Sequence, residues 1–400
     1  MQNERATDTQ AALGTDTAPA GIYIHVPFCR AKCPYCDFYS VTDSDRIPNF
    51  VDALLKELKR RRGRVPSADT VYFGGGTPSI LTPGQIERIL GAVHDAFNMM
   101  PDSEVTLEVN PGTVSLDSLH GFRNAGINRL NIGLQSTNDR TLGFLGRIHT
   151  AEQARNTYRW ARQAGFDNVG LDLIYGIPGQ SREAWRAELA DVTRLKSEHL
   201  SCYTLTLEPG TPLADRVNQG RIPSPDEAVV GDLFVFTCKW LDDHGYRQYE
   251  ISNFARQDPG KGIDLRSRHN RKYWNFVPYL GFGPAAHSFL DQCRWWNHRN
   301  LAAYLADVAA GRLPVAEKER LTRDQQLIEA IYLGLRQTDG IDTVDFRQRF
   351  AIDFFDYFRK AMVPLIDGGL IQLASRRVRL TAQGMRLLEH VADVFIQALE

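Results

Sequence analysis

The chain lacks what would carry it across or into a membrane. No apolar run approaches the roughly 20 residues that a spanning helix needs, so the protein is not expected to span a bilayer. The first twenty residues, Met1 to Ala20, are rich in Thr, Ala, Asp and Gln and contain no apolar core of the signal-peptide kind. They read as a disordered tail, and their composition points to a cytoplasmic protein. Charge of one sign is also missing: 47 Lys and Arg against 48 Asp and Glu leave a net charge of −1, and with it no global attraction to nucleic acid or anionic lipid. Cysteine is scarce, six in 400 residues. In a reducing compartment so few thiols are not a disulfide framework. Three of them crowd into eight residues, which points to metal. Cys202, Cys238 and Cys293 stand alone and read as small buried hydrophobes.

What is present is the composition of a folded globular chain. Short apolar runs rich in Ile, Val, Leu, Tyr and Phe recur at Gly21–Val26, Thr70–Phe73, Glu104–Asn110, Arg129–Gln135, Asn168–Ile174 and His199–Thr206. Their lengths predict strands. Amphipathic stretches lie between them at 47–62, 84–97, 116–125, 151–164 and 181–195, several opened by a capping residue such as Thr82 before Pro83. Six strand–helix units in succession predict an α/β fold with parallel strands and right-handed crossovers. Ligands in such sheets bind at the loops after the strand C-termini.

The rhythm changes after Pro223. A helix over 225–244 leads into an aromatic-rich region, Tyr246 to Trp296. The last eighty residues predict helices at 323–336, 342–350, 354–367 and 382–399, with a two-stranded wing at 369–373 and 377–380. The expected organisation is therefore a tail (1–20), a strand–helix core (21–222), an aromatic-rich extension and linker (223–320) and a C-terminal winged-helix-like domain (321–400).

Cys29-Arg-Ala-Lys-Cys33-Pro-Tyr-Cys36 follows the first strand directly. Thiolates suit iron–sulfur clusters and zinc alike, but a structural zinc site is closed by a fourth Cys or His, and none follows within about ten residues. Three ligands and one open corner suit a [4Fe–4S] cluster whose fourth iron is chelated by the amino and carboxylate groups of S-adenosylmethionine. Tyr23 and His25 alternate with Ile22, Ile24 and Val26, which sends Tyr23 and His25 inward; His25 reads as a core histidine with a backbone partner.

Gly74-Gly75-Gly76-Thr77-Pro78 leaves the second strand without the downstream Gly and Lys of a phosphate loop. A tri-glycine there lets backbone groups approach a ligand closely. Polar residues recur where later strands end: Glu108, Gln135 and Asp172, with Arg147 shortly beyond. Together they offer carboxylates, a guanidinium and an amide to a ligand carrying ammonium, carboxylate and ribose groups.

These motifs, Tyr-Ile-His-Val-Pro-Phe-Cys-x3-Cys-x2-Cys, Gly-Gly-Gly-Thr-Pro and Asp-Leu-Ile-Tyr-Gly-Ile-Pro-Gly, resemble the coproporphyrinogen-oxidase-like radical-SAM family from about Gly21 to the C-terminus. The resemblance implies a partial (β/α)6 TIM-type barrel with a helical C-terminal domain. It implies a cluster on Cys29, Cys33 and Cys36, and S-adenosylmethionine contacts at Tyr23, Tyr35, Gly75, Gly76, Thr77, Glu108, Gln135, Arg147 and Asp172. The oxidase branch has a fourth cysteine where this chain has Phe38, and a longer N-terminal extension. The haem-chaperone branch shares Cys-Asp-Phe-Tyr-Ser and His269-Asn-Arg-Lys-Tyr273-Trp274, a motif associated there with haem. By that resemblance His269, Tyr273 and Trp274 are haem contacts, with His287 and His298 competing as iron ligands. The expected function is then a haem-binding chaperone that delivers haem to client haem proteins, membrane-associated respiratory enzymes among them, as a homodimer. The alternatives are an oxygen-independent coproporphyrinogen III oxidase, another radical enzyme, or a DNA binder using Arg376, Arg377 and Arg379 of the wing.

Overall fold

The computed structural model describes residues 18–257 and 262–399, so all but three residues of the expected tail lie outside the described residues. Strand β1 begins at Ala20, one residue inside that tail.

Strands β1 (Ala20–Val26), β2 (Ala68–Gly75), β3 (Met99–Val109), β4 (Arg129–Gln135), β5 (Val169–Tyr175) and β6 (His199–Thr204) lie side by side in chain order. Every neighbouring pair among them is parallel. Sequential order without a switch point is the order of a barrel wall and not of a doubly wound sheet. The wall stays open: β1 continues into parallel β9 (Tyr279–Phe282), and β6 into antiparallel β8 (Asn253–Arg256). The complete sheet has twelve strands, adding β7 (Tyr246–Gln248), β10 (His287–Leu290), β11 (Cys293–Asn297) and β12 (Val315–Arg320). The aromatic-rich region thus supplies both flanks of the sheet.

Alternation decides which face each strand residue serves. Ile22, Ile24 and Val26 are fully buried outward, against helices such as Ile47–Arg60, whose Phe50, Val51, Leu54 and Leu58 are all inaccessible. Burying one such side chain is worth about 1.5–3 kcal/mol, so this outer layer holds the barrel wall. The inner face is polar and aromatic instead: Tyr23, His25, Thr70, Tyr72, Glu108, Arg129, Asn131 and Asp172.

The C-terminal unit carries β13 (Ile341–Asp342), β14 (Ile371–Ala374) and β15 (Arg377–Leu380) in the order β13-β15-β14, so the expected two-stranded wing is a three-stranded sheet. Two expected helices are interrupted. The 354–367 stretch is Phe354–Tyr357 plus Arg359–Asp367, and the terminal one is Ala382–Arg386 plus Leu388–Gln397. Phe346, Phe350, Phe354, Phe358 and Phe395 pack in its core in tilted and edge-to-face pairs. It is tied to the barrel edge through Glu250, fully buried, whose Oε2 accepts from Arg336 Nε at 2.8 Å.

Candidate functional site

The cysteine loop leaves β1 and returns to it. Cys29 N donates to Val41 O at 2.9 Å and Val41 N to Pro27 O at 2.7 Å, which closes the loop like a purse. Pro34 O accepts from Leu213 N at 2.9 Å, anchoring the far side. Cys29, Cys33 and Cys36 are all free and half-buried. Among the described residues no group of three or more His, Cys, Asp or Glu side chains is placed to hold a single ion.

Two groups outside the loop reach the thiols. Thr77 Oγ1 donates to Cys29 Sγ at 3.4 Å, and Arg147 Nη1 to Cys33 Sγ at 3.6 Å. Arg147 is held by the Gly133 carbonyl, 3.1 Å from Nη2, and by the hydroxyl of Tyr35. Tyr35 packs beside Leu145, Ile174, Ile177, Leu205 and Leu213, and its burial drives the phenol well above its ordinary value. Tyr35 therefore touches Arg147, not open space.

The tri-glycine lies against the same loop. Gly76 N donates to Val26 O at 2.8 Å and Thr77 N to Phe28 O at 2.7 Å. Gly75 has φ +105°, and a Cβ there would stand 2.6 Å from the His25 ring; at Gly76 it would stand 2.7 Å from Phe28 O. Both positions need glycine. His25 has the backbone partner expected of it, Nε2 lying 3.0 Å from Tyr39 O, and burial lowers its pKa to about 4, keeping it neutral.

The strand-end polars come together on the inner face. Glu108 Oε1 accepts from Tyr72 OH at 2.8 Å, and desolvation, with Asp172 adding repulsion, raises its pKa to about 8. Asp172 Oδ2 accepts from Asn131 Nδ2 at 2.6 Å, and burial likewise pushes its pKa up. Gln135 sits at a register break in β4 with φ +66°, a strained conformation for a residue with a side chain. Asp172 Oδ1 and Arg147 Nε are buried with no hydrogen-bond partner among the described residues. A ligand offering hydroxyls to the one and a carboxylate to the other would satisfy both. Tyr23, Glu108, Gln135, Arg147 and Asp172 all remain part-exposed to the barrel interior.

The donor set fits the cluster and S-adenosylmethionine: three thiols, a glycine cradle, and one unpartnered atom each on a buried carboxylate and a guanidinium, Asp172 Oδ1 and Arg147 Nε. When bound, the pair supplies one-electron cleavage of a sulfonium bond. The residues named above would orient the ligand and shield the thiols.

His269, Tyr273 and Trp274 lie elsewhere, on the helix Arg268–Trp274. His269 is fully inside, with Nδ1 2.8 Å from Thr70 Oγ1 and Nε2 2.8 Å from Tyr273 OH. Both ring nitrogens are engaged, and burial lowers its pKa to about 3. Trp274 packs at 6.0 Å on Tyr249 and under Arg336. Tyr273 forms one wall of a cavity of about 470 Å³ with Phe276, Tyr279, Phe289 and Tyr332. His287 is exposed and stacked on Trp296, and His298 is paired with Asp307 at 3.0 Å.

Sequence reasoning missed Tyr72, Asn131 and Arg129, the last a fully buried guanidinium facing Glu108 and Asp172. Each lies one to three pleats from a residue already singled out, so inward alternation along β2 and β4 was the available signal.

The cysteine loop at the head of a parallel barrel wall, followed by a separate helical unit, defines a radical-SAM protein. The Radical SAM superfamily model matches residues 23–192 and the HemN C-terminal domain model residues 321–387. The chain belongs to the family of the haem chaperone HemW. It is 31% identical over 381 residues to Heme chaperone HemW of Bacillus subtilis (strain 168), covering 94% of this chain and 99% of that protein. It is 34% identical over 387 residues to its counterpart in Mycobacterium tuberculosis (strain ATCC 25618 / H37Rv), covering 95% of each. Coproporphyrinogen III oxidase (HemN) from Escherichia coli, described as a radical SAM enzyme, superimposes with a TM-score of 0.81 at 27% identity, covering 94% of this chain and 90% of that one. The family's cofactors are a [4Fe–4S] cluster and S-adenosylmethionine. Among the described residues no helix is long and apolar enough to cross a membrane.

Proposed function

We propose that the chain is a haem-binding chaperone that hands haem to apo-proteins, with the cluster and S-adenosylmethionine serving its assembly or regulation. The observation that carries this is the match to HemW relatives over almost the whole of both chains. The roles of Cys29, Cys33 and Cys36 as cluster ligands, and of the inner-face residues as cofactor contacts, belong to the same reading. Haem contact falls in the aromatic-rich region, where Tyr273 and its neighbours offer a flat apolar wall suited to a porphyrin face. Client haem proteins, respiratory enzymes at a membrane among them, a homodimer, a cytoplasmic location and the four-part organisation of the chain complete the proposal.

The test is titration of the purified protein with haem, followed by transfer to an apo-protein acceptor. A saturable Soret shift at micromolar haem is expected, and its absence removes the reading. The HemN-like fold favours one second reading, the oxygen-independent oxidase. Phe38, 69% exposed, stands where that branch has its fourth cysteine. Anaerobic turnover of coproporphyrinogen III would establish the oxidase; no turnover is expected.

A further inference from the structure

The helix Arg268–Trp274 closes the floor of the barrel. Glu104 at the start of the β3 core caps it, its Oε1 accepting from His269 N and its Oε2 from Arg268 N, both at 3.1 Å. Arg268 and Lys272 pair with Asp69 at the entry of β2, at 3.0 and 2.5 Å. Gly21 leaves the room this needs, since a Cβ there would come within 3.1 Å of the His269 ring and 2.9 Å of Lys272. The histidine is thereby delivered into the barrel, with both nitrogens engaged by Thr70 and Tyr273.

There its ring lies under that of Tyr72, centroids 5.1 Å apart and planes 26° apart, an offset stack. Tyr72 in turn stacks on Tyr23 at 6.2 Å. Tyr23 also lies 6.3 Å from His269, so the three rings form a triangle in which Tyr72 rests on both of the others, and its hydroxyl meets Glu108 Oε1 at 2.8 Å. A Cβ on Gly74 would stand 3.0 Å from Tyr72 and from Tyr23 and 3.2 Å from Glu108 Oε1, so the glycine leaves room for these three side chains to converge.

We propose that His269 is a positioning residue of the S-adenosylmethionine pocket, aiming the Tyr72 hydroxyl at Glu108 from below, so that the motif helix sets cofactor affinity. The inference rests on the reading of Glu108 as a cofactor contact. It makes His269 a part of the cofactor site through packing and assigns it no bond to iron.

The experiment uses the full chain with its cluster reconstituted anaerobically, and measures the S-adenosylmethionine dissociation constant by equilibrium dialysis. Cluster absorbance and thermal melting are followed on every variant. His269→Ala and Tyr72→Phe are each expected to weaken binding roughly tenfold, the net worth of one hydrogen bond. The double variant is expected to be no weaker than Tyr72→Phe alone, because the histidine acts through that hydroxyl. His269→Phe keeps a flat ring beneath Tyr72 and is expected to restore affinity to within threefold of the unaltered protein; it also carries the test should His269→Ala fail to fold. Additive losses in the double variant, or unchanged affinity in both His269→Ala and Tyr72→Phe, would overturn the inference. Glu108→Gln separates the two levels. If Glu108→Gln leaves affinity unchanged, the cofactor reading of Glu108 itself fails. If it weakens affinity while the His269 and Tyr72 variants do not, only the positioning role fails.

Discussion

Arg147 donates to the sulfur of Cys33 across 3.6 Å while its second nitrogen holds the Gly133 carbonyl at 3.1 Å. A guanidinium beside a cluster thiolate favours the more negative, reduced state of the cluster, since net charge and hydrogen bonds to sulfur set its potential. Arg147→Met is therefore expected to assemble a cluster whose midpoint potential is more negative than that of the unaltered protein, with Arg147→Lys between the two. An EPR-monitored redox titration reads this directly, and an unmoved midpoint would refute it.

The three loop thiols are expected to be individually indispensable. Cys29→Ala, Cys33→Ala and Cys36→Ala should each abolish the iron–sulfur absorbance after anaerobic reconstitution. Cys202→Ala, deep in the core at 3% exposure, should keep the cluster and lose only the small stability of a trimmed buried side chain. Iron and sulfide content per chain is the measurement.

Gly75→Ala places a Cβ 2.6 Å from the His25 ring at φ +105°. Such backbone strain costs about 1–3 kcal/mol, and displacing the ring comes on top of it. The variant should melt earlier and bind S-adenosylmethionine poorly. Gly91→Ala is the control: it is exposed in the helix Pro83–Ala96, with nothing near its Cβ, and should stabilise by about 0.5–1 kcal/mol.

Glu108 yields a pH signature with a definite sign. Its folded pKa of about 8 exceeds the ordinary 4.5 because burial disfavours the carboxylate. Between those values the folded chain holds a proton that the unfolded chain has lost, so stability falls as pH rises. Glu108→Gln removes this term. The melting temperature of the unaltered protein should therefore drop relative to the variant between pH 5 and pH 8; parallel curves would refute the shift.

Glu57 joins the barrel wall to the aromatic-rich extension. It is fully buried in the helix Ile47–Arg60 and accepts from Gly283 N at 3.0 Å, Asn297 Nδ2 at 2.8 Å and Tyr304 OH at 2.8 Å, with Arg61 3.4 Å away. Glu57→Ala leaves the buried Arg61 without its counter-charge and should cost about 3–5 kcal/mol, measured by denaturant unfolding; Glu57→Gln should recover part of it.

The parts of the fold visible in the chain were those with strong local periodicity. All six core strands and five of the helices between them follow from apolar runs and capping residues such as Thr82, which makes a reciprocal cap with Gln85; the short helices Asp139–Phe144 and Pro212–Asn218 were not legible. The flanking strands β7 to β12 were not legible, because Tyr246–Gln248 or Tyr279–Phe282 are three or four residues long and gain stability only by pairing with a wall already built. The same holds for β13, two residues that join the wing.

The cysteine spacing and the tri-glycine are local chemistry, and the sequence alone determined them: no fold is needed to bring together thiols within eight residues. What only the tertiary structure decided is the company they keep. Arg147 meets Cys33 from 114 residues away, and His269 reaches Thr70 from 199. Those distances close because parallel strands in sequential order bring successive strands into register on one inner face, and no local rule of spacing encodes which distant side chains that face will share.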